Sequence, residues 1–234
     1  MALGILFAFL LALPVLVPDV DLAVSGLFYS SEQGFFLADH PVLLALHQIA
    51  SSGAWGLEIG FALMALAASI RKKPLLSLDS KAWLFLFVAL LVGPGLVANL
   101  GFKDHWGRER PREITAFGGS GVFSPALVPH FEKARSNGSF VSGDGAFGFF
   151  LPAFAYVAPR RLTRRFFWSG IGGGILFGTT RIAMGAHFLS DVLFAALLML
   201  VSVAIVHALF YGKHATLCLW QAWVGAHKEK STRL

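Results

Sequence analysis

Residues Val192–Tyr211 read VLFAALLMLVSVAIVHALFY, twenty positions without a Lys, Arg, Asp or Glu. Wound as a helix, such a run is about 30 Å long, the thickness of the hydrocarbon core of a bilayer. It predicts a membrane-spanning helix, and with it an all-α integral membrane fold. Five further apolar segments appear on moving outward from it. They are Ala2–Val17, ended by Pro18; Val42–Ile70, carrying His47 and Glu58; uncharged Ala82–Phe102; Phe140–Ala158, with Asp144 near its start; and Gly-rich Phe166–Thr180, stopped by Arg181. Six transmembrane helices follow, in a single polytopic domain over 1–234 without repeats or a dividing linker. The first 17 residues begin without Lys or Arg and lack a clear small-residue cleavage site, so a retained span is expected rather than a signal peptide.

Composition agrees with a membrane solvent. Apolar residues make up 56% and charged residues 14% of the chain, against about a quarter charged in soluble domains. The polar surface is too small to cover a water-soluble globule. A net charge of +6 raises the question of nucleic acid. That function needs a basic face on a soluble module, whereas the cations here fall in short runs between apolar segments. The single cysteine, Cys218, excludes a disulfide framework and any cysteine metal site.

The distribution of the 19 cations orients the chain. Arg71, Lys72, Lys73, Lys81, Arg160, Arg161, Arg164, Arg165, Lys213, Lys228, Lys230 and Arg233 fall on one side of a six-span arrangement. The loop after the first span holds Asp19, Asp21, Glu32 and Asp39 and no cation. Cytoplasmic termini are expected, with Trp220 and Trp223 as interfacial anchors. The remaining cations, Lys103, Arg108, Arg110, Arg112, Lys133, Arg135 and Arg181, cluster on the outer side against that rule. Binding an anion is the most economical reason.

Three blocks on that side carry the chemistry. Lys103 and Arg110 are seven residues apart, two helical turns, so one face can present a point charge and a planar fork to phosphate oxygens. Ser142 and Gly143 open the fourth span, where free backbone N–H groups favour an anion. His187 and Asp191 are four apart, on one helical face, with Arg181 just upstream. An Asp holding the proton on one imidazole nitrogen leaves the other as base or nucleophile. A cationic cradle beside an activated histidine suits phosphoryl transfer through a phosphohistidine.

The pattern Lys-x6-Arg-Pro, then Ser-Gly, then Arg-x5-His-x3-Asp resembles the type 2 phosphatidic acid phosphatase (PAP2) superfamily of six-span, metal-independent lipid phosphatases. The resemblance implies that Lys103, Arg110 and Arg181 bind phosphate, that Ser142 and Gly143 donate hydrogen bonds to it, that His187 is the nucleophile and that Asp191 orients it. Neither cofactor nor metal is implied. Three departures stand out, the first being Val141 where the family's Pro-Ser-Gly-His has its Pro. Thr180-Arg181 replaces the family's Ser-Arg, and Asp144 stands where the family's general-acid histidine usually follows Ser-Gly. Asp144 and His105 are the candidate proton donors. Trp106-Gly107-Arg108-Glu109-Arg110-Pro111, Phe117-Gly118-Gly119, Phe123-Ser124-Pro125-Ala126 and Asn137 to Asp144 are similar to the bacterial lipid A 4′-phosphatase-like branch. That likeness implies lipid A as substrate, in the outer leaflet of the inner membrane, with a periplasmic active site and no obligate protein partner.

Phosphatases of undecaprenyl pyrophosphate, phosphatidylglycerophosphate or phosphatidic acid share every motif, as does a lipid phosphotransferase. An anion transporter is the non-enzyme alternative, although inverted repeats and polar residues at the midplane would suit it better. The remaining polar residues have quieter readings. Arg108, Arg112, Lys133 and Arg135 are expected as solvated loop charges or headgroup contacts, and His47, Glu58 and His207 as interfacial or packing residues. Gly172, Gly173 and Gly174 are expected to allow close helix packing, and Asn137-Gly138-Ser139 to form a polar turn.

Overall fold

The structure, a computed structural model, describes residues 2–133 and 138–216. Trp220, Trp223, Cys218, Lys228, Lys230, Arg233, Arg135 and Asn137 lie outside the described residues. The described residues are mainly helical, with one small hairpin and long loop stretches over 104–133 and 138–142 whose only helical parts are short 3-10 turns: α1 (Ala2–Leu16), α2 (Asp19–Gly26), β1 (Tyr29–Ser30), β2 (Gly34–Phe35), α3 (Pro41–Arg71), α4 (Ser80–Leu90), α5 (Gly143–Gly148), α6 (Pro152–Val157), α7 (Arg160–Ala183) and α8 (Leu189–Tyr211). Beyond Leu90 the helix of α4 widens to π-type turns over Leu91–Lys103, around Pro94.

Among the described residues three helices are long and apolar enough to cross a membrane: Pro41–Arg71, Ser80–Lys103 and Leu189–Tyr211. The pair Leu6–Leu16 and Asp19–Gly26 adds a fourth if its two parts form one span; they meet at 97°. Pro18 at the break cannot donate a backbone bond to a continuing helix, and Asp19 and Asp21 occupy the first turn of α2, where negative charge is favoured. The remaining two expected spans take a different form. Phe140–Ala158 is two short helices, because the chain turns at Phe149–Leu151 and Pro152 opens α6. Over its 24 residues α7 is long enough, but its glycines and arginines dilute its apolar character.

Packing fixes which ends of the helices lie together. Phe61 of α3, Trp83 and Phe85 of α4, Phe150 and Phe154 around α6, and His207 and Tyr211 of α8 form an aromatic core. His207 is buried in it, stacked on Tyr211 and bonded through Nδ1 to Thr216 Oγ1 at 2.7 Å. Lys81 Nζ sits 4.6 Å above the Tyr211 ring, joining the start of α4 to the end of α8. Helix α7 lies against α5 and α6 with almost no side chain between them. A methyl group on Gly148 would strike the backbone of Gly173 and Gly174, and one on Gly174 would strike the Phe149 ring. Gly173 and Gly174 thus serve close packing, whereas Gly172 faces open space.

At the other end of the bundle, β1 pairs with β2 in the register Tyr29↔Phe35 and Ser30↔Gly34. Tyr29, Phe35 and Phe117 form a mutual ring cluster with centroids 5.2–5.5 Å apart. Phe35 presses on Gly185, which has a positive φ of 65° and no room for a side chain. That turn carries the chain from α7 to His187.

Candidate active site

His187 lies on the connection between α7 and α8 and is 1% exposed. Its Nδ1–H donates to the Ser139 carbonyl at 2.6 Å, which leaves the lone pair on Nε2. Asp191 Oδ2 is 3.6 Å from Nδ1, beyond hydrogen-bond length. The tautomer is therefore held by the Ser139 carbonyl, with Asp191 supporting it as a nearby charge, a different division of labour from the direct Asp191 bond expected. Burial pushes the imidazole down to about 4, against the opposing pull of Asp191. At neutral pH the ring is uncharged and its Nε2 can attack.

Asp191 is itself tightly held. Its Oδ2 accepts the Phe188 backbone N–H at 2.7 Å, and its Oδ1 accepts Arg108 Nη1 at 2.5 Å. Arg108 was expected in solvent, and here the structure corrects the reading: its side chain is fully buried. Nε donates to the Ser124 carbonyl at 3.0 Å, Nη1 also to Ser190 Oγ at 2.8 Å, and Nη2 to Asp21 Oδ2 at 2.8 Å. The guanidinium also stacks 4.4 Å from the Phe188 ring centroid. Asp21, on α2, further accepts the Ser190 N–H at 2.9 Å and the Ser190 hydroxyl at 2.5 Å. One buried cation between two buried carboxylates, each also hydrogen-bonded, has the satisfied geometry that an interior ion pair requires. Asp21 and Arg108 are thus site-supporting residues that sequence reasoning missed. Arg108 lies in the motif run itself, two residues before Arg110, and only its partners distinguish it.

The cationic cradle converges beside His187. Arg181, at the end of α7, is buried and its charge acts on His187, as does that of Lys103. Lys103, at the end of the α4 segment, in turn feels the charges of Arg110, Asp144 and Arg181. Arg110 is buried, with its backbone N–H donating to Glu113 Oε2 at 3.0 Å. Two buried donors in this region lack a hydrogen-bond partner in the protein, Arg181 Nε and Ser139 Oγ. Buried polar groups are seldom left unpaired, and an anionic ligand would satisfy such donors.

Ser142 caps α5, its Oγ accepting the Gly145 N–H at 3.2 Å, while its own N–H donates to the Asp191 carbonyl at 3.2 Å. Its amide is thus committed to the fold, unlike the phosphate donor expected. Gly143 follows as the first residue of α5.

Asp144, in the first turn of α5, lies between two basic groups. His47 Nδ1 is 2.6 Å and Arg181 Nε 3.5 Å from its Oδ2. His105, the other candidate proton donor, is exposed on the turn beyond Lys103. Glu58 lies eleven residues beyond His47 on α3, about 16 Å along the helix axis. Among the described residues no group of three or more His, Cys, Asp or Glu converges as metal ligands would.

Comparison with known proteins adds kinship to this geometry. The model of the PAP2 superfamily matches residues 81–215. The chain is similar to the lipid A 4′-phosphatase of Francisella tularensis subsp. novicida, 35% identical over 201 residues, 85% of this chain and 90% of that protein. It is also similar to the lipid A 4′-phosphatases of Rhizobium leguminosarum and Rhizobium etli, 38% and 39% identical over about half of each chain. No solved structure matches the chain.

Proposed function

The chain belongs to the PAP2 superfamily and is a phosphoric monoester hydrolase of that family; from this premise we propose that it removes the 4′-phosphate of lipid A through a phosphohistidine on His187. The observation that carries the reading is the pairing of a neutral, buried imidazole, its Nδ1–H fixed by Ser139, with the buried Nε of Arg181, which makes no hydrogen bond among the described residues and has only the Asp144 carboxylate 3.5 Å away. A phosphate entering there meets a nucleophile and a cation whose charge acts at the same residue. Nε2 of His187 attacks phosphorus in line with the ester oxygen, and Lys103, Arg110 and Arg181 balance the charge on the equatorial oxygens. Water then cleaves the P–N bond and releases inorganic phosphate. No metal takes part in this scheme, because the cations of the protein supply the charge.

The test is phosphate release by the detergent-solubilised protein from lipid A bearing 1- and 4′-phosphates, with the product read by mass spectrometry. The expected product lacks the 4′-phosphate. Activity persists with a chelator and is inhibited by vanadate, a mimic of the five-coordinate transition state. Release from undecaprenyl pyrophosphate, phosphatidylglycerophosphate or phosphatidic acid in preference to lipid A would reassign the substrate. Activity lost with a chelator and restored by a divalent cation would remove the phosphohistidine scheme.

The same reading has six spans in the bacterial inner membrane, cytoplasmic termini and a site open to the periplasm. It is supported by the cations at the ends of α3 and α7 opposite the site. In a Cys218→Ser background, Cys introduced at exposed Val122 is expected to react with a membrane-impermeant maleimide in spheroplasts, and Cys at exposed Leu76 only after lysis. The reverse pattern would put the site on the cytoplasmic face.

A further inference from the structure

His47 was expected to pack or to sit at an interface, yet its imidazole reaches the catalytic cluster from a different helix. It lies in the second turn of α3, and its Nδ1 meets Asp144 Oδ2 at 2.6 Å. The same carboxylate oxygen is 3.5 Å from Arg181 Nε. Asp144 is thus the inner member of a pair, its side chain 12% exposed, and His47 the outer member at 36%. Among the described residues Nε2 of His47 has no partner. An imidazole with one nitrogen tied to a carboxylate presents the other in a fixed direction. Asp144, engaged by an imidazole on one side and a guanidinium on the other, is placed to hold a neighbour rather than to give up a proton itself.

We propose that His47, held by Asp144, is the proton donor for the leaving oxygen, so that this chain supplies from α3 the imidazole its Ser-Gly-Asp motif lacks. The inference rests on the phosphatase reading and deepens it. As the bond from His187 Nε2 to phosphorus forms, the P–O ester bond breaks and its electron pair passes to the sugar oxygen. That oxygen takes the proton from His47 Nε2. In the second step water attacks phosphorus, the P–N electron pair returns to His187, and the proton that the water sheds reaches His47 through bulk solvent. No other reactant is needed.

The alternative is that His47 only latches Asp144 and through it Arg181. Leaving groups separate the two roles, since an alkoxide needs a proton and a nitrophenolate departs without one. His47→Ala and His47→Asn are assayed in the solubilised full-length protein, on 4′-phosphorylated lipid A and on p-nitrophenyl phosphate. The Asn amide reaches the Nδ1 position, so it keeps a donor to Asp144 and removes the titrating nitrogen; it carries the test should His47→Ala misfold. With His47 as donor, lipid turnover falls roughly 10²- to 10³-fold in both variants, while aryl phosphate turnover stays within about threefold of wild type. Equal losses on both substrates, restoration of both by Asn, or lipid turnover within about tenfold of wild type would each overturn the proposal. A wild-type protein inactive on both substrates would fail earlier, at the phosphatase reading itself.

Discussion

Replacing His187 by alanine is expected to abolish phosphate release from every ester, by a factor of roughly 10⁴ or more, because the covalent step has no second nucleophile. The buried ring also accounts for one hydrogen bond of the fold, to the Ser139 carbonyl at 2.6 Å. Leaving that carbonyl unpartnered costs about 1–3 kcal/mol, which lowers thermal stability in detergent without preventing insertion. The decisive measurement pairs turnover with alkaline quenching of the wild type during reaction with ³²P-labelled substrate. Labelled protein that is alkali-stable and acid-labile is expected from the wild type and absent from His187→Ala. Turnover of the variant within about tenfold of wild type would displace His187 from the mechanism.

The second large effect falls on stability as well as on rate. Arg108→Ala removes the one cation shared by Asp21 and Asp191, and leaves both carboxylates in an apolar interior. Breaking a buried pair from one side costs about 3–5 kcal/mol, and here two carboxylates lose their partner together. Folded yield and thermal midpoint in detergent should both fall sharply, and any protein that survives should be slow, because Asp191 loses a ligand that fixes it beside His187. Arg112, four residues along the same loop and exposed, is the internal control; an alanine there is expected to change stability by less than about 0.5 kcal/mol. Similar losses in the two variants would mean that the buried network contributes little.

These two arginines also mark the limit of what could be read without coordinates. The spans that became α3, α4 and α8 were legible because hydropathy over twenty residues is a local property. So were the phosphate-motif residues Lys103, Arg110, Arg181 and His187, because charge on the apolar ends of spans is conspicuous, and the structure draws these residues into one electrostatic cluster. Pro152 stood in plain view inside the supposed fourth span; reading that segment by mean hydropathy alone concealed the turn at Phe149–Leu151. Arg108 and Arg112 look alike as letters, and only contacts made across 87 and 83 residues of chain tell them apart. His47 gave a usable sign, a titratable ring in an apolar helix, but the partner that gives it meaning lies 97 residues away. Asp21, in an acidic loop with no cation, pointed outward by every local measure and instead turns inward with α2.

The bend at Pro18 has a consequence for how the molecule is made. Asp21 is synthesised before Arg108, and Arg108 before Asp191. The Asp21–Arg108 ion pair involves no residue of α8, but a chain interrupted before residue 189 lacks Ser190 and Asp191, which complete the shell of that pair. Such a product keeps the long apolar helices α3 and α4 but leaves open the hydrogen-bonding positions on Asp21 and Arg108 that Ser190 fills. Quality-control proteases that sense open polar groups would thus read the arrival of α8 from the state of α2.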